Sequence, residues 1–312
     1  FLEFALVLTS VIIARLPYLL SDHVFIDGDE ALLGIMGRDL ITLKNLPVYF
    51  YGQRYGFSLI EAMAVGIFIP FLGSTWISLK LGGMLLFSIG IWRLIRILRI
   101  KETTAIIFGL TLLVLVLMPP WTVWGTKLRG GYLTAFVGCA FLFEQIILHQ
   151  DWKLKSWITS TGLSVVIVLS QPLFLIPLFP LLIKKLINTT NYLDVAKAAG
   201  TGLALIGLLR IPAYWNKDHW RPQQFGEFEI TKITQNFLGA FCSHTSGFFA
   251  YYDFYEVPQL VVISIIGFSC ILITLVVFGL LKFAKTQRIQ LILILLGTGL
   301  LVAFFPFFGV TG

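Results

Sequence analysis

Residues 258–281 read PQLVVISIIGFSCILITLVVFGLL and contain no charged side chain. An apolar run of about 20 residues is long enough to cross the hydrocarbon core of a bilayer as a helix. Runs of this kind recur along the chain from Phe1 to Phe308. Because lipid offers the backbone no hydrogen-bond partner, each run must satisfy its own N–H and C=O groups as a helix. The sequence therefore predicts an all-α protein embedded in a membrane.

The composition of the whole chain agrees with this prediction. Of the 312 residues, 57% are hydrophobic and 12% are charged, and the mean hydropathy is +0.89. A soluble domain carries about 25% charged residues, so this chain has too few to face water on all sides. The net charge is +7, and the basic residues cluster at predicted helix ends, so no nucleic-acid partner is predicted. The three cysteines are far apart in sequence and predict neither a disulfide framework nor a CxxC metal motif.

About nine segments have the length and composition of spanning helices. They are 1–20, 75–97, 103–118, 131–149, 156–170, 172–187, 194–213, 258–281 and 289–306. Prolines interrupt 156–187, which predicts either two short helices or one kinked helix. We predict one transmembrane domain over 1–312. We expect it to be incomplete at both ends, because residue 1 is not Met and the chain stops just after an apolar run.

The distribution of Lys and Arg predicts the orientation. Basic clusters lie at 93–101, 153–155, 184–185 and 282–288. The positive-inside rule places these clusters in the cytoplasm and the polar, aromatic stretches 21–56 and 214–257 on the outer face. Both stretches lie outside only if the apolar segment 57–73 does not cross fully. We therefore predict a re-entrant or steeply tilted helix at 57–73; a full crossing would instead place 93–101 outside.

The first outer stretch contains an acidic group at the predicted start of a helix over 29–44. Asp27, Asp29 and Glu30 lie together there, and such residues cap free N–H groups and suit the helix dipole. The apolar face of this helix consists of Leu32, Leu33, Met36, Leu40 and Leu43, with Arg38, Asp39 and Lys44 elsewhere. This pattern predicts an amphipathic helix lying on the membrane. The acidic residues have two interpretations, helix capping alone or catalysis.

The residues after this helix favour a functional site. Positions 47–56 read PVYFYGQRYG, which combines aromatic residues and glycines with Arg54. Glu61 then lies near the start of an apolar run, where an ionisable group is costly and indicates function by default. The alternative is a structural ion pair of Glu61 with Lys80 or Arg54.

These stretches resemble the GT-C glycosyltransferases, in particular the superfamily of dolichyl-phosphate-mannose protein mannosyltransferases and aminoarabinose transferases, with its bacterial members. The matching residues are Asp29-Glu30-Ala31, Phe50-Tyr51-Gly52-Gln53-Arg54-Tyr55-Gly56, Ser58-Leu59 with Glu61, and Arg129-Gly130-Gly131-Tyr132. The resemblance is specific over 21–80, moderate over 127–140 and architectural beyond 150. Many members carry Asp-Pro where this chain reads KLRG at 127–130, so the resemblance does not extend to the detailed substrate geometry.

The resemblance implies a polytopic helical bundle of the GT-C type, with an amphipathic juxtamembrane helix in the first outer loop. It implies transfer of a sugar from a polyprenyl-phosphate donor to an acceptor on the outer face of a bacterial inner membrane. Asp29 is then the base that takes the proton of the acceptor hydroxyl. Glu30 positions the acceptor or a metal, or simply caps the helix. Arg54, Lys127 and Arg129 are the candidates for the donor phosphate, and an interfacial anchor is the alternative for Arg129.

The same resemblance extends the substrate site to Tyr55, Glu61 and Tyr132. Some members bind a divalent metal, for which the candidates here are Glu61, His219 and His244, although no HExxH spacing is present. Membrane lipid and a protein partner are further expected contacts.

Two other classes of function compete with sugar transfer. A transporter or flippase is expected to show inverted repeats and broken helices at the membrane midplane, and no repeat is found. A non-catalytic subunit would keep the fold and bind lipid or a partner protein. Donor-dependent sugar transfer separates the enzyme from both.

Overall fold

The structure of the protein is a computed structural model that describes residues 2–20, 24, 26–53, 56–100, 125–149 and 151–215. Within these ranges every regular element is a helix, and an isolated β-bridge joins Tyr49 to Phe57. The all-α prediction is therefore confirmed for the described residues. The predicted segments 103–118, 258–281 and 289–306, and nearly all of 214–257, lie outside them.

Eight α-helices and one 3-10 helix follow one another along the described chain. They are α1 (Leu2–Leu19), α2 (Gly28–Ile41), α3 (Leu59–Leu72), α4 (Trp76–Ile100), α5 (Tyr132–Leu148), α6 (Leu154–Ser170), the 3-10 helix (Pro172–Leu178), α7 (Phe179–Ile187) and α8 (Tyr192–Trp215). Two of the described helices, α4 and α8, are long and apolar enough to cross a membrane. Helices α3, α5 and α6 are shorter apolar helices.

The prolines at 172–180 decide between the two predicted arrangements of 156–187. Helix α6 ends at Ser170, and a 3-10 helix of 7 residues that contains Pro177 separates it from the 9-residue α7. At 1.5 Å per residue α7 is about 14 Å long, less than half of a bilayer core. Of the two predicted arrangements of 156–187, the structure therefore has two separate helices and not one kinked helix, because proline removes backbone donors and breaks the helix.

The chain divides into two compact units. The first comprises Phe1–Leu117, Thr122–Leu175 and Lys185–Arg221, and the second comprises Met118–Trp121, Ile176–Lys184 and Pro222–Gly312. The packing and the site described below belong to the first unit. The single transmembrane domain over 1–312 stays a prediction.

Helices α1 and α4 run antiparallel. The ring of Phe4, early in α1, lies 5.6 Å from the ring of Trp92, and the guanidinium of Arg15, late in α1, lies 4.8 Å from the ring of Phe87. The start of α4 therefore lies at the same end of this helix pair as the end of α1. Helix α3, between them in sequence, has 14 residues and is about 21 Å long, shorter than the ~30 Å core. The re-entrant helix at 57–73 stays a prediction.

Helices α4 and α5 run parallel. Phe87 stacks on Phe136 at 5.7 Å, and further along both helices Arg93 pairs with Glu144 at 3.1 Å. Arg96 reaches the same carboxylate at 3.4 Å. The predicted span 103–118 lies between these two helices in sequence, outside the described residues. The pairs with Glu144 lie at the end of α4 that the sequence predicts to be cytoplasmic.

Helices α2, α3 and α4 pack closely through Val65 of α3, which is buried. A Cβ added to Gly82 of α4 would lie 2.9 Å from the backbone of Val65, and one added to Gly37 of α2 would lie 3.0 Å from its side chain. Carbon atoms do not pack that closely without displacement, so glycine is needed at both contacts. This packing holds the start of α2 against α4.

Candidate functional site

Helix α2 begins with a capping box. Oδ1 of Asp27 accepts the N–H of Glu30 at 2.9 Å, and Oε2 of Glu30 accepts the N–H of Asp27 at 3.4 Å. Within the acidic group the helix is therefore capped by Asp27, with Glu30 completing the box, and not by Asp29. The side chain of Asp29 is half-exposed instead, at 48%.

Two cations from the segment before α5 reach these carboxylates. Lys127 Nζ lies 2.9 Å and an Arg129 amino group 3.3 Å from Oδ2 of Asp27, while Arg129 Nε lies 3.5 Å from Oδ2 of Asp29. We call Asp27, Asp29, Lys127 and Arg129 the charged cluster. The structure thus brings together three of the residues that the resemblance placed in one site, namely Asp29, Lys127 and Arg129.

Opposing effects set the pKa of Asp27. Burial acts to raise this pKa, but the hydrogen bond from Lys127, the N–H of Glu30 and the charges of Lys127 and Arg129 outweigh burial and lower it below 3.8. Asp27 is therefore ionised at neutral pH and tied to both cations.

We expect the stability of the protein to depend on Asp27 at acid pH. A carboxyl whose pKa is lower in the folded than in the unfolded chain stabilises the fold fully above its unfolded value of 3.8. This stabilisation is lost as the pH falls through the folded value. Asp27→Asn keeps a good cap but loses the ion pairs, so its thermal unfolding midpoint should be lower than that of the unaltered protein at neutral pH.

The measurement compares the two midpoints in detergent between about pH 3 and pH 7, and the difference should shrink toward the acid end. Asp151→Asn is the control, because Asp151 is exposed and lies outside the cluster. A difference that stays constant over this pH range would contradict the assignment.

Glu30 forms a buried ion pair. Its Oε1 lies 2.5 Å from Nζ of Lys80, and the two side chains are 1% and 2% exposed. With its other oxygen in the capping box, Glu30 serves the start of the helix, which is one of the three roles that the sequence left open. The alternative that paired Lys80 with Glu61 is wrong, because Lys80 reaches across from α4 to α2.

Glu61 caps a helix to which it does not belong. Its Oε1 accepts the N–H groups of Leu133 at 2.8 Å and Thr134 at 3.3 Å, and its Oε2 accepts the N–H of Gly131 at 3.0 Å. These are orphan donors at the start of α5, where Gly131 has no side chain that could cap them. Glu61 is completely buried in this position.

The glycine pair before α5 is in close contact with the backbone of neighbouring segments. Gly131 has φ +99°, and a Cβ there would lie 2.9 Å from the carbonyl oxygen of Phe57 and 3.0 Å from Cα of Ser170. The backbone of α6 and of the segment before α3 therefore occupies the space beside Gly131. Tyr132, the next residue, packs edge-on against Phe174 at 6.2 Å.

A polar network around the buried Asp39, which the sequence did not predict, connects the aromatic stretch to α2. Asp39 was predicted on the polar side, yet it is 7% exposed. The hydroxyl of Tyr51 donates to Oδ2 of Asp39 at 3.1 Å, and Asn45 donates to that hydroxyl at 3.3 Å. The sequence contained a sign of this burial. Asp39 follows Met36 by one helical turn, so the two side chains lie on the same side of α2, and Met36 is buried.

An apolar groove runs beside α2. It has a volume of about 260 Å³ and includes Ile26, the neighbour of Asp27. Its other lining residues are Ala31, Gly34, Ile35, Arg38, Val65, Ile69, Ser74, Thr75, Trp76, Ser78 and Leu79. One of its lining residues thus directly precedes Asp27 of the charged cluster in sequence.

The remaining predicted site residues are not placed. Arg54, Tyr55, His219 and His244 lie outside the described residues. Among the residues that the structure does describe, no group of three or more His, Cys, Asp and Glu side chains can hold a metal ion. A divalent metal therefore stays a prediction.

No family model matches the chain, and no curated protein or solved structure shows significant similarity to it. The geometry of the site is therefore the basis on which a function is assigned.

Proposed function

We propose that the protein is a polytopic membrane glycosyltransferase of the GT-C type that moves a sugar from a polyprenyl phosphate to an acceptor hydroxyl. The charged cluster is its reactive site, and it faces the outside of a bacterial inner membrane. The observation that carries the proposal is the half-exposed carboxylate of Asp29 within 3.5 Å of Arg129. The two described helices that are long and apolar enough to cross a membrane support the location.

Asp29 acts as the general base. The acceptor oxygen attacks the anomeric carbon of the sugar and its proton passes to Asp29, while the bond from that carbon to the phosphate oxygen breaks. The leaving polyprenyl phosphate keeps the electron pair of this bond. Asp29 suits the role because its carboxylate is not used by the helix cap and is open to solvent.

Lys127 and Arg129 hold the phosphate. A guanidinium presents five N–H donors, so Arg129 can bind a phosphate while it also contacts a carboxylate. These cations stabilise the charge that builds up on the leaving phosphate. The apolar groove that Ile26 helps to line supplies a surface for the isoprenoid chain.

One observation favours a non-catalytic subunit instead. Asp27, Glu30 and Lys80 are all accounted for by the capping box and by ion pairs. A protein in which these three residues only stabilise the fold would have the same contacts at these positions. Asp29 differs from these three residues, because its carboxylate is half-exposed and takes no part in the helix cap.

Transfer of a labelled sugar from a polyprenyl-phosphate donor tests the proposal in membranes that contain the protein. Transfer should depend on the donor, and Arg129→Gln should raise the KM for the donor by about 10- to 100-fold through loss of a charged hydrogen bond worth ~1.5–3 kcal/mol. Lys155→Gln removes an exposed cation outside the cluster and should change nothing. Absence of transfer from every polyprenyl-phosphate sugar would overturn the proposal and favour the subunit.

A further inference from the structure

Glu61 differs from the other acidic residues of the site in its partners. Its two oxygens accept backbone N–H groups of Gly131, Leu133 and Thr134, at 2.8 to 3.3 Å. Each of these donors is a first-turn amide of α5 that has no partner inside its own helix. With both oxygens already accepting N–H groups, little of this carboxyl group is left to bind a metal.

Residues 125–131 carry Lys127 and Arg129, and we call them the cation segment. The hydrogen bonds of Glu61 hold this segment at the point where it joins α5. Its last residue, Gly131, is wedged between the Phe57 carbonyl and Ser170 and is held there by Oε2 of Glu61. The carbonyl of Arg129 accepts the N–H of Tyr132 at 3.3 Å, so Arg129 is tied to the same turn.

We propose that Glu61 is a positioning residue, which holds the cation segment so that Lys127 and Arg129 face Asp27 and Asp29. Only the expected effect of Glu61 on sugar transfer rests on the proposed function. Glu61 touches neither donor nor acceptor and acts through the two cations. It replaces the direct roles in substrate or metal binding that the resemblance implied for Glu61.

Glu61→Gln tests this role with little change in shape. One amide oxygen still accepts two N–H groups, but the amide nitrogen is a donor and faces the N–H of Gly131. The segment should loosen, so amide exchange at Gly131 should become faster, while amides in the middle of α6 serve as the internal control. The KM for the donor should rise about tenfold with a smaller change in kcat, because Asp29 is untouched. Unchanged exchange, or a fall in kcat at constant KM, would overturn the proposal.

A second measurement does not depend on transfer. Asp27→Asn lowers the unfolding midpoint by breaking ion pairs that require Lys127 and Arg129 in place. In the Glu61→Gln background the same change should therefore lower the midpoint less. Additive effects would overturn the positioning role even if sugar transfer is found. Non-additive effects would support it even if no donor is used.

Glu61→Asp is a second variant that tests the same role if Glu61→Gln does not fold. It keeps the charge but is one methylene shorter, so it should show the same two effects at smaller size. A direct metal or substrate ligand would behave differently. Glu61→Gln would then lose kcat, added divalent metal would change the activity, and amide exchange at Gly131 would be normal.

Discussion

Asp29→Asn is expected to reduce sugar transfer by about 100- to 10,000-fold, the usual contribution of a general base. An amide cannot take the proton of the acceptor hydroxyl at neutral pH, although its size and shape match the carboxylate. The fold should survive because the cap of α2 is Asp27, and the contact of Asp29 with Arg129 is partly exposed and contributes little to stability. The measurement is transfer in membranes at matched expression.

The control for this variant must remove a charge without touching the cluster. Asp151→Asn does so, because Asp151 is exposed between α5 and α6. Asp27→Asn is unsuitable, since Asp27 both caps α2 and pairs with Lys127. Near-normal transfer by Asp29→Asn would show that the carboxylate is not the base.

Lys80→Met is expected to lower the free energy of unfolding by about 3–5 kcal/mol, the cost of leaving a buried charge without its partner. Glu30 and Lys80 are almost fully removed from solvent, so water cannot replace the lost interaction. The thermal midpoint in detergent should fall by about 10 °C. Lys155→Met, which changes an exposed cation, should leave the midpoint in place.

The double variant Glu30→Met with Lys80→Met distinguishes a buried pair from two independent contributions. Removal of both members leaves neither charge buried without the other, so most of the lost stability should return. Glu30 also bonds the N–H of Asp27 at 3.4 Å, and the loss of that bond sets a small residual cost. If the double variant is as unstable as the sum of the two single variants, the ion pair does not account for the stability.

Local signals predicted the helices well. The apolar runs at 1–20, 75–97 and 131–149 correspond to α1, α4 and α5, because burial in lipid or protein requires such runs to bond internally. The N-cap of α2 could also have been predicted correctly. Asp27 and Glu30 are three residues apart, which is the spacing of a capping box. Asp29 was singled out by the resemblance and not by this spacing.

The partners of the buried charges could not be predicted. Either of two carboxylates, Glu30 or Glu61, could have been the partner of Lys80. Helical periodicity shows which face of a helix is apolar, but it does not show which helices pack against each other. The partner of Glu61 is backbone rather than a side chain, so no residue type marks it in the sequence. Only the crossing of α3 and α5 brings the two together.

The cap that Glu61 gives to α5 also has a consequence for the order of assembly during synthesis. The carboxylate leaves the ribosome before the amides at 131–134 that satisfy it. At about 5–20 residues per second the delay is several seconds. Over that interval Glu61 lacks the backbone partners that it has in the folded protein, so the contact of α3 with the start of α5 forms only after residues 131–134 have been made.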